Sequence, residues 1–165
     1  MSQITSGSYE CHYREIDIYN EILSIIYFEF KLAAEAKGLS FNMVTKTDEA
    51  LIYGDEYSVS QLLINIIENS VKFTERGKIE VVISRKNGKI LIDVSDTGIG
   101  ISEEYKAALF QPFSQEEQGY TRSYEGVGLG LALSKKYCEL NNASIDVMSQ
   151  KGKGSTFRIT FNAAA

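Results

Sequence analysis

Amide and ammonium side chains follow one face of a helix that the sequence predicts in the middle of the chain. Between residues 61 and 73, leucine, isoleucine and valine recur at helical spacing on one face, while Gln61, Asn65, Asn69 and Lys72 share the opposite face. Asparagine lowers helix propensity, amide oxygens suit a hard cation such as Mg²⁺, and an ammonium suits phosphate. The pattern indicates a ligand-binding face; an ordinary solvated face that happens to hold asparagine is the alternative.

A second group of residues that could bind a ligand follows a predicted strand that ends near residue 95. The carboxylate of Asp96 only accepts hydrogen bonds, so it suits an exocyclic amine such as that of adenine. Gly98 and Gly100 allow a sharp turn and a close approach of the backbone to a ligand. The alternative is a simple turn capped by the aspartate side chain.

A third group consists of Gly126, Gly128 and Gly130, which lead directly into a predicted helix. Free N–H groups at a helix N-terminus form an anion site. A Rossmann motif is excluded because no strand precedes these glycines in a βαβ unit, and a P-loop is excluded because no Lys-Ser or Lys-Thr follows them. A further glycine cluster, residues 151–157, is interpreted as a hairpin turn.

Composition narrows the class of protein. The chain has 165 residues, 44% of them hydrophobic and 24% charged, which fits one ordinary globular domain. Its net charge of −5 argues against a duplex nucleic-acid partner. No apolar run approaches the roughly 20 residues of a membrane span, and we expect no membrane contact by this domain. Cys11 and Cys138 are predicted to be free thiols of a cytoplasmic protein, and His12, the single histidine, an ordinary surface or linker residue.

Hydrophobic periodicity predicts an α+β protein, a two-layer sandwich. Residues 1–15 read as a tail or linker, 16–162 as the domain, and 163–165 as a cloning scar or cut end. The first helix begins after Asp17 as its N-cap, ends before Gly38, and has a predicted apolar stripe of Ile18, Ile22, Ile25, Ile26, Leu32, Ala33 and Ala36. The other predicted elements are strands 39–44 and 50–53, helix 58–73, a hairpin of strands 78–85 and 89–95, a short helix 102–110 capped by Ser102, a mobile polar loop 114–125, helix 129–140, and strands 143–148 and 156–161.

Taken together and in this order, these motifs resemble the ATP-binding catalytic domain of histidine protein kinases, in the GHKL superfamily with the Bergerat fold. The resemblance covers roughly residues 16–161. It comprises an N box at Gln61–Phe73, G boxes at Asp96–Ile101, Gly126–Leu131 and Gly152–Phe157, and an F box at Leu109–Gln115. The block-wise order of helices and strands already predicts a mixed sheet of about five strands with helices on one face. The resemblance implies about three such helices and a mobile ATP lid.

The resemblance assigns roles around the phosphates of ATP. Asn69 would bind Mg²⁺ through its amide oxygen, and Asn65 would assist at the metal or the phosphates. Lys72 would contact phosphate oxygens, and Arg122 would reach the γ-phosphate from the lid. Asn65, Lys72 and Arg122 would therefore be the catalytic side chains.

It also assigns the adenine pocket. Asp96 would accept from the adenine amine, helped by Thr156 through a water, and Phe73 would border the ring. The remaining residues implied to contact the nucleotide are Gly98, Ile99, Gly100, Ile101, Phe113, Gly126, Val127, Gly128, Leu129, Gly130 and Leu131.

Asn65 distinguishes the expected reaction from hydrolysis. ATP-hydrolysing relatives such as gyrase carry a glutamate at this position, where it activates water, and an asparagine cannot act as that base. The resemblance therefore implies transfer of the γ-phosphoryl group to a histidine on a dimerisation domain, with a response regulator receiver domain downstream. Since His12 is not in the acceptor motif of the family, we expect no autophosphorylation of this chain alone.

Three other functions remain open at this stage. One is a non-catalytic nucleotide-binding module, mildly favoured because Val127 stands where the family usually has threonine. The second is a GHKL ATPase, which Asn65 disfavours. The third is a serine kinase of the anti-sigma type, which shares these boxes but acts on a different partner.

Overall fold

The fold is built on a five-stranded mixed sheet with helices packed on one face. The computed structural model describes residues 9–107, 109 and 127–164, and all structural statements refer to this part of the chain. Its elements are β1 (Tyr13–Asp17), a π-helical segment (Ile18–Leu23), α1 (Ser24–Ala36), β2 (Ser40–Thr45), β3 (Leu51–Asp55), α2 (Glu56–Lys72), β4 (Lys78–Lys86), β5 (Lys89–Asp96), α3 (Glu103–Ala107), α4 (Val127–Leu140), β6 (Ser144–Gln150) and β7 (Gly154–Asn162).

The main sheet has the strand order β2-β4-β5-β7-β6. The pair β2–β4 is parallel and the other pairs are antiparallel. Asn87 and Gly88 join β4 to β5 with φ values of 52° and 75°, the positive values that a tight hairpin turn requires. Along β4, β5 and β7, buried residues alternate with half-buried ones, so one face is packed and the other faces solvent. The predicted mixed five-stranded sheet is confirmed.

A second, two-stranded sheet was not predicted. Strand β1 pairs antiparallel with β3, from Tyr13 opposite Asp55 to Asp17 opposite Leu51. The prediction of an unpatterned tail is therefore wrong for residues 13–15. Only Ile16 in β1 is buried, so the strand leaves no alternating signal in the sequence. The predicted strand at 50–53 exists as β3, but it belongs to this small sheet.

The first helix begins as predicted but presents a different face. The Oδ1 of Asp17 accepts from the N–H of Asn20 at 3.0 Å, which confirms this residue as the N-cap. The helix opens with a π-helical segment, whose wider turn shifts later residues around the axis. The predicted stripe is therefore wrong in its second half: Ile25 is 62% exposed and Leu32 is 74% exposed. Ala33 and Ala36 are also exposed, while the buried residues are Ile18, Ile22, Leu23, Ile26 and Ala34.

Helix α2 carries the centre of the core. It packs between α1 and α4 and against the sheet, and its predicted apolar face is buried at Leu62, Leu63, Ile66, Ile67 and Val71. The helix starts two residues before the predicted Ser58 because Asp55 is its N-cap. Within the described residues, no helix has the length and apolar character needed to cross a membrane.

The position of the buried face of α1 can be tested with a pair of substitutions. Ile26→Ala removes a side chain that is 3% exposed, so we expect it to lower the free energy of unfolding by about 2–5 kcal/mol. Leu32→Ala, six residues later on the exposed face, should change it by less than about 0.5 kcal/mol. Urea unfolding measures both. Equal losses would mean that the face predicted from the periodicity is the buried one.

Candidate functional site

One pocket lies between the C-terminal half of α2, the end of β5 and the beginning of β7. Three predicted groups meet there: the amide-bearing helix, the loop after Asp96, and the helix that contains Gly128 and Gly130. The residues that line it are Asn69, Ser70, Phe73, Asp96, Ile99, Gly100, Ile101, Leu131, Ser155 and Phe157. Its wall is mostly apolar with a few polar groups, which is the usual character of a small-molecule site.

Asp96 is the charged group of this pocket. Its Oδ1 accepts from the backbone N–H of Gly98 at 2.9 Å and of Ser155 at 3.2 Å. Among the described residues, none donates a hydrogen bond to its Oδ2. Burial raises the pKa of this carboxyl, and the hydrogen bonds of the two N–H groups offset only part of that rise. A hydrogen-bond donor on a ligand would therefore pair with Oδ2 of Asp96, to which no described residue donates.

The glycines after Asp96 let the loop pack against the rest of the protein. A Cβ on Gly98 would lie 2.5 Å from the carbonyl oxygen of Phe73, at the end of α2. Gly100 has a φ of +69°, and a Cβ there would collide with the carbonyl of Gln150. Both glycines thus serve contacts with protein backbone, and Gly100 also lines the pocket.

The polar face of α2 leads to the same pocket. Asn69 lines it, Asn65 lies one turn earlier on the same face, and the Nζ of Lys72 lies 5.5 Å from the centre of the Phe73 ring. The end of the helix is held by Lys37, whose Nζ donates to the carbonyl of Val71 at 2.7 Å. Of this polar face, Asn69 lines the pocket itself, and Asn65 and Lys72 share its side of the helix.

Two buried hydroxyls near the pocket were missed in the sequence. Ser70 is 3% exposed and Thr74 is fully buried, and neither side-chain oxygen has a hydrogen-bond partner among the described residues. Ser70 lies near Asp96 and lowers the pKa of that carboxyl slightly, without meeting hydrogen-bond geometry. Ser70 lies on the apolar side of α2, one turn after Ile66. A polar residue within an apolar stripe was the sequence signal that could have identified it as a pocket residue.

The assignment of Thr156 to the pocket is wrong. Its hydroxyl lies 2.9 Å from that of Ser95, on the solvent-facing side of the sheet. Its neighbours on β7, Ser155 and Phe157, line the pocket instead, and the N–H of Ser155 binds Asp96. Side chains of a strand alternate between faces, so the burial of Phe157 implied this correction.

The lid residues lie mostly outside the described part of the chain. Phe113, Arg122 and Gly126 are not described, and neither is the predicted polar loop. Helix α4 starts at Val127, so Gly128, Leu129 and Gly130 belong to its first turn and not to a preceding loop. Leu131, which follows directly, lines the pocket. The first N–H groups of a helix have no partner within it and carry partial positive charge, so this turn brings anion-binding potential next to the pocket.

Comparison with known sequences identifies the family. Residues 54–165 match the family described as histidine kinase-, DNA gyrase B- and HSP90-like ATPases. The chain belongs to this family. An uncharacterised sensor-like histidine kinase of Rhizobium meliloti is 35% identical over 163 residues, which are 97% of this chain and 30% of that protein. The autoinducer 2 sensor kinase/phosphatase LuxQ of Vibrio vulnificus is 35% identical over an alignment of 166 positions, which covers 96% of this chain and 19% of LuxQ.

Solved structures agree with this assignment. Full-length ShkA in complex with AMPPNP superimposes with a TM-score of 0.84 and 26% identity, covering 99% of this chain and 34% of ShkA. Histidine kinase ThkA, solved in complex with the response regulator protein TrrA, has a TM-score of 0.79 at 23% identity, covering 99% of this chain and 46% of ThkA. The fold is thus that of the histidine kinase ATP-binding catalytic domain, and the chain spans about a third or less of the curated relatives.

The raised pKa of Asp96 predicts an unusual stability profile. Because the folded protein binds this proton more tightly than the unfolded chain does, stability falls as pH rises from about 3.9 through the folded pKa. Asp96→Asn keeps the oxygen that accepts from Gly98 and Ser155 but cannot ionise. We expect the variant to gain stability relative to the wild type across that range and to keep the gain at pH 7. Urea unfolding at several pH values measures it, and a difference that does not change with pH would contradict the assignment.

Proposed function

We propose that this domain binds ATP with Mg²⁺ and transfers the γ-phosphoryl group to a histidine of a dimerisation domain in its parent protein. The observation that carries the proposal is the half-buried carboxylate of Asp96, whose Oδ2 is directed to no donor among the described residues, in a pocket that Asn69 borders. A carboxylate accepts from the exocyclic amine of adenine, and an amide oxygen beside it suits the metal of a nucleotide complex.

The described side chains divide between the two ends of a nucleotide. Phe73, Ile101 and Leu131 give the apolar walls for an adenine ring, with Asp96 between them. Asn69, Asn65 and Lys72 form the polar side, where the phosphates would lie. Arg122, on the undescribed lid, would contact the γ-phosphate, and the first turn of α4 would approach the phosphates with its N–H groups.

The side chains around the pocket suit a metal ion that binds as a complex with the nucleotide. No group of three or more histidine, cysteine or acidic side chains in the described residues is arranged to hold a metal ion. Mg²⁺ commonly binds through one or two protein oxygens together with substrate phosphates, and Asn69 would supply such an oxygen. Bound Mg²⁺ would neutralise phosphate charge, while the chain itself positions the nucleotide.

Transfer to a protein acceptor fits this site better than hydrolysis. Asn65 occupies the position one turn before Asn69, and its amide cannot take a proton from water. Glu68 is exposed, about 100° around the helix from Asn69. Catalysis would then rest on positioning and on stabilisation of charge. Val127 mildly favours a non-catalytic nucleotide-binding module, because the family that the motifs resemble usually has a threonine hydroxyl at this position.

The wider context follows from the same proposal. The domain would extend from β1 to β7, preceded by a linker from the dimerisation hairpin, and would work in the cytoplasm. A response regulator receiver domain would take the phosphoryl group from the acceptor histidine. ThkA, which shares the fold, was solved with such a partner.

A labelling experiment tests the proposed reaction. With radiolabelled ATP and Mg²⁺, the chain alone should gain no acid-labile phosphohistidine, since its single histidine, His12, lies outside an acceptor motif. Addition of the dimerisation hairpin of the parent protein should produce labelled hairpin, and Asn69→Ala should abolish the label. Phosphate release should stay below one turnover on the same timescale. Rapid multiple-turnover release would indicate an ATPase, and nucleotide binding without label would indicate a non-catalytic module.

A further inference from the structure

The carboxylate of Asp55, at the start of α2, receives more hydrogen bonds than a helix cap requires. Its Oδ2 accepts from the N–H of Ser58 at 3.0 Å and from the hydroxyl of Ser58 at 2.6 Å. The hydroxyl of Tyr9 donates to the same oxygen at 2.8 Å, and the N–H of His12 donates to Oδ1 at 2.9 Å. The last two donors come from the segment that precedes β1, so this segment is attached directly to the N-terminus of α2.

Asn141 connects the same point to the end of α4. Its Oδ1 accepts from the N–H of Asp55 at 2.8 Å, and its Nδ2 donates to the hydroxyl of Ser58 at 2.9 Å and to the carbonyl of Tyr137 at 2.8 Å. The side chain is 4% exposed. Gly54 makes room for it, because a Cβ there would lie 2.9 Å from Oδ1 of Asn141. The contact is thus closely packed and its polar atoms are paired.

The first residue of β1 also contacts α4. The hydroxyl of Tyr13 donates to the carbonyl of Leu140 at 2.6 Å, in the last turn of that helix. We call Tyr9, His12, Asp55, Ser58 and Asn141 the N-terminal clamp. It joins three parts of the chain: the segment before β1, the beginning of α2 and the end of α4.

The clamp lies at the opposite end of both helices from the pocket. Asn69 is fourteen residues after Asp55, which is about 20 Å along an α-helix at about 1.5 Å per residue. Leu131, at the start of α4, lines the pocket, while Asn141 follows the last residue of that helix. Because α2 and α4 pack against each other, their relative placement at the clamp fixes the distance between the amide face and the first turn of α4.

We propose that Asp55 and Asn141 are positioning residues for the nucleotide site, and that attachment of the Tyr9–His12 segment to Asp55 completes their arrangement. This inference rests on the function proposed above. Release of the segment removes two of the donors that orient the Asp55 carboxylate, loosens the junction of α2 and α4, and weakens nucleotide binding from about 20 Å away. The segment would thereby transmit its own position to the pocket.

Asp55 and Tyr9 keep the protonation states that the hydrogen bond between them requires. Burial would raise the pKa of Asp55, but the hydrogen bonds from His12, Ser58 and Tyr9 outweigh it and hold the pKa below its usual value. Burial and the contact with Asp55 raise the pKa of Tyr9, which keeps its hydroxyl a donor. Both shifts keep Asp55 an ionised acceptor and Tyr9 a protonated donor at neutral pH.

The first test removes one clamp hydroxyl and leaves the fold intact. Tyr9→Phe loses the bond to Asp55 but keeps the ring that packs on Tyr57, with centroids 5.5 Å apart. Tyr57→Phe is the matched control, since its hydroxyl makes no hydrogen bond with the described residues. Calorimetric titration with AMPPNP and Mg²⁺ should show affinity lowered by about three- to tenfold in Tyr9→Phe and changed by less than about twofold in the control.

A merely structural role would give a different result. Tyr9→Phe would then lower the melting temperature while the affinity of the folded protein stayed at the wild-type value, and that outcome would overturn the inference. If the wild type itself bound no nucleotide, the proposed function would fail instead, so the two failures are distinguishable.

Hydrogen exchange provides an independent test, because coupling between two sites acts equally in both directions. If the clamp and the pocket are coupled, nucleotide binding must strengthen the clamp by the same factor as the clamp strengthens binding. Saturating AMPPNP should therefore slow exchange of the amide protons of His12 and Ser58, which donate to Asp55. Exchange at these two amides that is unchanged by bound nucleotide would contradict the coupling.

Discussion

The pocket is organised around a carboxylate that is held partly out of water with its hydrogen bonds incomplete. Asp96 ends the central strand β5, and backbone N–H groups from two directions reach only one of its oxygens. Burial of an acid without full compensation is unfavourable, which is the origin of its raised pKa. The surroundings maintain this state: the loop at Gly98 packs against the end of α2, and β7 supplies the second N–H. A ligand amine would complete the bonding that the described fold leaves open.

Helix α2 contributes to the core with one face and to the pocket with the other. Its apolar face fills the core, and its polar face brings the amide of Asn69 to the pocket. Asparagines weaken such a helix, so its ends need support. Asp55 caps its beginning, and Lys37 contacts the carbonyls of its last turn. Packing between α1, α4 and the sheet then holds the amide face in place despite its low intrinsic helix propensity.

Local signals in the sequence predicted the parts of the fold that local interactions determine. The Asn-Gly turn between β4 and β5, the Asp17 cap, the cap of α3 by Ser102 and the two faces of α2 all follow from neighbouring residues. Most of the pocket was also predicted, because Asn69, Phe73, Asp96 and the isoleucines of the first G box occupy motif positions. These residues are brought together by the strand order of the sheet, which neither periodicity nor the motifs predicted.

The errors arose where distant contacts or helix geometry override the local pattern. Strand β1 forms through pairing with β3, about 40 residues away, and its polar sequence carries no period of two. The face of α1 turned because a π-helical segment interrupts the 3.6-residue repeat. Thr156 was assigned from a motif without regard to strand alternation, which directs Ser155 inward. The clamp at Asp55 joins residues up to 86 positions apart, so no sequence window contains it.

Calorimetric titration of the wild type and of Asp96→Asn with AMPPNP, with and without Mg²⁺, tests the central claim most directly. The account predicts saturable binding by the wild type that Mg²⁺ strengthens, and loss of that binding in Asp96→Asn although the variant remains folded. An affinity in Asp96→Asn equal to that of the wild type would contradict it, because the carboxylate would then contribute nothing to the recognition of adenine.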